Sequence, residues 1–255
     1  MIKQGKLEFP QYDSFIGFDA EWTKNYKIKN GNKPFCFSFI SINKKDLSFE
    51  NLRSNQFYFK YVQFYCENEL ETDDLVCHAN ETLNEILACL DTSILCGHQI
   101  SSDLSVLRNS ANNTQSSSIK NISKAIFLWQ NRKTNGVVFD TRYDVSKPFL
   151  GKSRRLVDMC NDFRLNVEQP ELGKASMTKL QNIYYSNNET TIRERISVLN
   201  LRHCLSTILL TWLGTTLVDK PFETQINVNN VIRNVLGADF NWVQSEAFSQ
   251  LFVER

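Results

Sequence analysis

Apolar residues in the first third of the chain come in short alternating runs, and later they recur every three or four positions. Phe15, Ile16 and Phe18 flank Gly17 and predict a buried strand that ends in Asp19-Ala20-Glu21-Trp22. Residues 23–33 are basic and contain a glycine, which predicts a connecting loop or hairpin. Residues 35–42 and 57–64 read as the next two strands. Three strands before any long helix predict an antiparallel meander that opens a mixed sheet. The period then changes. Leu83, Ile86, Leu87 and Leu90 share one helical face, with Asn80 as a candidate cap. A short strand over 94–96 turns at Gly97 into a helix capped by Ser101 or Ser102, which places Asp103 in the first turn. Residues 109–118 carry almost no large apolar side chain and predict a mobile loop. Helices are expected over 119–130, 154–163, 176–185 and 190–217, with a short buried strand ending in an acid over 136–144 and a break at 170–173.

Lys220-Pro221 interrupts the pattern, and the amphipathic pieces 228–236 and 242–252 follow it. The expected organisation is an α/β domain over 1–218 and a helical appendage over 219–255. The appendage either packs on the core or serves as a tail for a protein partner.

Composition adds mostly exclusions. The chain has 255 residues, 42% hydrophobic and 22% charged, enough to bury a sizeable core. A formal net charge of +1 gives no overall basic field, so any nucleic-acid contact must come from local basic residues. Seven cysteines stand singly with no C-x-x-C pair, which argues against zinc ribbons and thioredoxin-like sites. Such a set fits a reducing compartment, cytoplasmic or nuclear. The N-terminal residues lack the apolar core of a signal peptide. No run approaches ~18 apolar residues, so no membrane span is expected.

The candidate chemistry begins at Asp19 and Glu21. Two residues apart on a strand, they leave from one face and repel each other unless a cation lies between them. A divalent ion such as Mg²⁺, which takes oxygen ligands, suits that need. The alternative is a strand end with two solvated acids. Asp103 is either a third acid at the sheet's end or an acid favoured there by the helix dipole. Asp140 reads first as a cap, with Asp144 following it. Trp22 is either a core residue or a platform for a terminal base.

Three stretches stand in order: Phe18-Asp19-Ala20-Glu21, then Gly97-His98-Gln99-Ile100-Ser101-Ser102-Asp103, then Asn200-Leu201-Arg202-His203-Cys204-Leu205-Ser206-Thr207 on the late helix. Over residues 13–217 the chain thereby resembles the DEDD superfamily of 3′–5′ exonucleases, which have a ribonuclease-H-like fold. Gln99 departs from the Asn usual in the second motif. The resemblance implies a mixed sheet flanked by helices and hydrolysis of single-stranded DNA or RNA from the 3′ end. It also implies two Mg²⁺ or Mn²⁺ ions ~4 Å apart. Asp19 would bridge the ions, and Glu21 and Asp103 would complete their shells. The resemblance assigns roles at those three acids only; by residue type, Trp22, His98, Arg142 and Arg202 are candidates for contact with the nucleic acid, with Arg154 and Arg155 as further basic candidates, and the alternative for each arginine is an ordinary surface or salt-bridge residue.

The third motif departs from the pattern. The family expects a last Asp on the late helix, yet no acid lies between Arg195 and Leu217, and Ser206 falls where that Asp would be. Three readings of His203 stand: it serves as base or ligand, the fourth ligand is lost and the fold is a weak or binding-only nuclease, or it is a core histidine. If His203 serves the site, Ser206 is expected on the same face, looking at the acids. A ribonuclease-H-like endonuclease is a further alternative.

Overall fold

A computed structural model describes residues 1–25, 27–111, 119–145, 153–216 and 222–252 of the chain. Residues 112–118 of the expected loop and the Lys220-Pro221 break lie outside the described residues. The centre is a six-stranded mixed sheet in the order β1-β4-β3-β2-β5-β6. The strands are β1 (Ile2–Gly5), β2 (Ser14–Thr23), β3 (Lys33–Asn43), β4 (Lys60–Tyr65), β5 (Ile94–Gly97) and β6 (Val138–Asp140). β1, β4, β3 and β2 pair antiparallel in turn. β2 then pairs parallel with β5, and β5 with β6, so these three strands end at one edge of the sheet. The antiparallel start followed by parallel strands agrees with the pattern read from the sequence. β1 was not anticipated, because Ile-Lys-Gln-Gly is too short and polar to show a period.

Strand alternation divides β2 between two cores. Ile16, Phe18 and Ala20 join one apolar cluster with Leu75, Leu83, Leu104 and Ile122. These last residues come from α2 (Thr72–Leu87), α3 (Ile100–Asn109) and α4 (Lys120–Gln130). Phe15 joins the other cluster, with Ile40 and Ile42 of β3 and Leu201, Leu205 and Leu209 of α9 (Thr190–Thr215). Gly17 lies on this second face. A methyl group there would stand 2.5 Å from the Cys204 carbonyl oxygen, so only glycine lets α9 lie this close to the strand. Asp19 and Glu21 continue the same face.

By length and hydropathy α9 could cross a membrane, yet 94% of its most apolar 18-residue window is buried inside the protein. Its apolar run is that of a core helix, in keeping with the helix expected over 190–217. Each leucine it buries contributes roughly 2 kcal/mol.

α2 begins at Thr72, two turns before Asn80. Asn80 therefore does not cap its own helix. Its Oδ1 accepts from the Asn121 and Ile122 amides at 2.8 and 3.3 Å, satisfying the N-terminus of α4 instead. The short helix α1 (Phe49–Ser54) lies between β3 and β4, the short helices α5 (Arg132–Asn135) and α6 (Thr141–Asp144) flank β6, and α7 (Leu156–Asp162) and α8 (Met177–Asn187) pack against α9. Beyond them, β8 (Ile226–Asn227) pairs parallel with β7 (Leu165–Asn166), a two-stranded sheet that four residues of sequence did not announce. From residues 222–252, Phe222, Val231, Ile232, Leu236, Phe240 and Phe248 are buried in the same cluster as α9.

Candidate metal centre

Parallel pairing brings the ends of β2 and β5 to one edge, and α9 crosses above β2 there. In the β2–β3 ladder Asp19 stands opposite Ser38, and Glu21 opposite Cys36. The register shifts between Glu21 and Trp22, and such a shift re-aims the side chains that follow it. At the end of β5, Gln99 takes a left-handed φ of 59° and turns the chain directly into α3. The helix thus starts one residue before Ser101, and neither Ser101 nor Ser102 is its cap. Asp103 is in the first turn, as the sequence implies, and is buried.

His203 sits between the strand's two acids. Its Nδ1 lies 3.4 Å from Asp19 Oδ2 and 3.4 Å from Glu21 Oε1. Ligand atoms of Asp19, Glu21 and His203 all fall within 4.8 Å of one another. Burial works against charging the ring, but the Asp19 and Glu21 carboxylates outweigh it and raise the His203 pKa to about 10. Without a metal, then, the cation between the two acids is an imidazolium.

Asp103 completes the acidic group. Burial, and then the charges of Asp19 and Glu21, push its carboxyl well above the usual range, although the Ala20 amide donates to it. Burial likewise raises Glu21, against the hydrogen bond from His203. Asp103 Oδ2 is buried and has no hydrogen-bond partner. An orphaned buried carboxylate oxygen that feels the charges of Asp19 and Glu21 is a further oxygen donor of the kind a divalent cation takes. Asp19, Glu21, Asp103 and His203 would hold one.

The remaining candidates divide. Ser206 does not face the acids. It is fully buried, its Oγ donates to the Arg202 carbonyl at 2.8 Å, and it hydrogen-bonds the Cys160 thiol of α7. Arg202 is not a nucleic-acid contact either. Its guanidinium is fully buried, bidentate on Glu171 with Nη2–Oε1 at 2.7 Å, and its Nε donates to Asn229. His98 is held by Thr141, with Nδ1 to Oγ1 at 3.0 Å, and by the backbone of Arg154. Arg142 and Arg154 each donate to the other's carbonyl, at 3.3 and 3.1 Å, and the charge of Arg142 reaches His98. Arg155 is exposed and paired with Asp158. Trp22 is half-buried just past the register shift.

Asp140 is a cap, accepting from the Arg142 and Gln99 amides at 3.1 and 2.9 Å and from Trp129 Nε1 at 2.8 Å. Asp144 pairs with Arg132.

One participant escaped the sequence reading. Asn200 Nδ2 donates to Asp19 Oδ2 at 2.7 Å. A signal was present: Ser197, Asn200, His203 and Thr207 recur at helical spacing and form a polar line along an otherwise apolar helix. Neither protein-family models, nor curated proteins, nor solved structures match this chain, and the reading of its function rests on the geometry of this site.

Proposed function

We propose that this chain is a metal-dependent 3′–5′ exonuclease of the DEDD type, with a ribonuclease-H-like fold, acting on single-stranded DNA or RNA. The observation that carries the reading is the convergence of Asp19, Glu21 and His203 ligand atoms within 4.8 Å, beside the unpartnered Asp103 Oδ2. Three separate elements supply these groups: β2, the first turn of α3, and α9.

A bound Mg²⁺ or Mn²⁺ supplies Lewis acidity towards a phosphodiester, a water and the leaving 3′ oxygen. The protein's own part is to hold and orient. Asp19 and Glu21 present oxygens from one strand face, Asp103 presents a third from the first turn of α3, and His203 stands where a fourth acid would otherwise be needed. A neutral imidazole can ligate or accept a proton, and a charged one can face a phosphate oxygen. Arg142 and Arg154 lie on the His98 side of the site and offer positive charge for the nucleic-acid backbone.

A second reading has its own support. His203 already sets one positive charge between Asp19 and Glu21 without any metal, so the fold is also compatible with a nuclease scaffold that binds nucleic acid and does not cleave it. One assay separates the two. A 3′-labelled single strand should release mononucleotides in Mg²⁺ or Mn²⁺, stop with a chelator, and be inert to Asp19→Ala. Retention of the strand by the wild type with no cleavage in either metal establishes the second reading instead.

A further inference from the structure

Under α9 the sheet carries a polar row where apolar residues would pack more cheaply. Asp19 of β2 stands opposite Ser38 of β3, and Ser38 stands opposite Gln63 of β4, so three polar side chains cross adjacent strands in register. Ser38 and Gln63 are almost completely buried. Burying such groups costs free energy unless they are hydrogen-bonded, and here they converge on one residue of the helix above. Asn200 is fully buried. Its Oδ1 accepts from the Ser38 hydroxyl and from Gln63 Nε2 at 3.4 Å. Gln63 Nε2 also donates to Ser38 Oγ at 2.8 Å and to the Ser197 carbonyl at 3.2 Å. Only the donor half of the Asn200 amide is left, and it points at Asp19 Oδ2, 2.7 Å away.

The direction of each bond is forced. Asp19 Oδ2 accepts from Asn200 Nδ2, so Asn200 Oδ1 is turned to the other side. Ser38 and Gln63 provide hydrogen-bond donors on that other side. The amide cannot flip without setting acceptor against acceptor. Asp19 Oδ2, the atom thus fixed, is the one that lies 3.4 Å from His203.

We propose that Asn200 is a positioning residue: clamped by Ser38 and Gln63, it fixes the orientation in which the Asp19 carboxylate faces Glu21 and His203. This rests on the metal-centre reading above and adds to it a chain of three residues, none of them a ligand, through which the sheet orients the ligand the resemblance makes central. The helix therefore contributes twice to the site, through His203 directly and through Asn200 one turn earlier.

The test is Mn²⁺ binding by calorimetry, with no substrate present, on full-length wild type, Asn200→Ala, Ser38→Ala and the double variant. Loss of such a supporting hydrogen bond weakens metal affinity by about 10- to 100-fold, which is the expectation for Asn200→Ala. Ser38→Ala should weaken it less. Because Ser38 acts through Asn200, the double variant should bind no worse than Asn200→Ala alone. A purely structural role would lower the melting temperature of each variant and leave Mn²⁺ affinity alone. Folded Asn200→Ala that binds Mn²⁺ as tightly as wild type overturns the assignment and leaves the metal centre standing. Wild type that binds no Mn²⁺ overturns both. If Asn200→Ala does not fold, Ser38→Ala decides: reduced affinity supports the clamp, and unchanged affinity refutes it.

Discussion

His98 and Ser206 show how a residue's surroundings decide what a motif position does. Burial, followed by the nearby charges of Arg142 and His203, lowers the His98 pKa to about 4. An unfolded histidine titrates near 6.5. Between these values the unfolded chain binds more protons than the folded one, so this contribution is fully present above about pH 6.5 and fades as pH falls through 4. The lead in melting temperature of wild type over His98→Asn should therefore shrink between about pH 7 and pH 4; a constant lead would show that His98 is not held neutral. Ser206 yields an opposite expectation to the one its sequence position suggests. Restoring an acid there would place a carboxylate against α7 with no cation beside it. Ser206→Asp should lose about 3 kcal/mol in denaturant unfolding and gain no metal affinity, and tighter Mn²⁺ binding would contradict the orientation described. Asp19, Glu21 and Asp103 could be placed at one end of the sheet from the sequence because strand alternation and the first turn of a helix are local rules; on which side of α9 His203 faces, the sequence is silent. Ser206, Arg202 and Asn200 could not be placed either. α9 is buried nearly all round, so its apolar pattern does not say which side of His203 meets the sheet.

At the scale of elements, the site exists because the backbone of α9 lies against the backbone of β2. Gly17 makes that possible, with the Cys204 carbonyl 2.5 Å and Ile208 2.9 Å from where a Cβ would be. The carbonyl belongs to a helix backbone and cannot swing away. Gly17→Ala should cost about 1–3 kcal/mol and, by lifting His203 and Asn200 off the acids, should also weaken Mn²⁺ binding. A variant with lowered stability and untouched affinity would place the give elsewhere in the helix. The sequence marked β2 and β3 well, since aromatic and β-branched runs bounded by polar residues have few other readings. It placed the start of α2 late because the first turn is polar, Thr72-Asp73-Asp74, and Asn80 looked like a boundary. In fact Asn80 works across space on α4, a role no spacing along the chain could disclose.

At the scale of the whole molecule, the segment read as an appendage shares its core with α9, and its two-residue strand pairs with residues that precede α8. That pairing is non-local, which is why an Ile-Asn dipeptide gave no notice of it. The binding point of these parts is the fully buried Arg202. Glu171 comes from the 170–173 turn, Asn229 from the start of α10 (Asn229–Leu236), and Trp242 donates to Glu171 from Nε1 at 3.3 Å and to Glu194 from its amide at 2.8 Å. Leaving a guanidinium inside the protein without its carboxylate costs about 3–5 kcal/mol. Partial assemblies, with α9 docked and the turn or the final segment still open, would each carry that cost. Folding of these three parts should consequently be concerted, and opening should be too. Native-state hydrogen exchange offers the measurement: amides of α9, β7 and β8 should be released with one common free energy and one denaturant dependence. Early, independent release of 226–243 would mean that the buried arginine does not couple them. A buried charge one residue from His203 along the chain, contributing nothing to chemistry, would then act as a check on completeness, disfavouring states that are only partly folded.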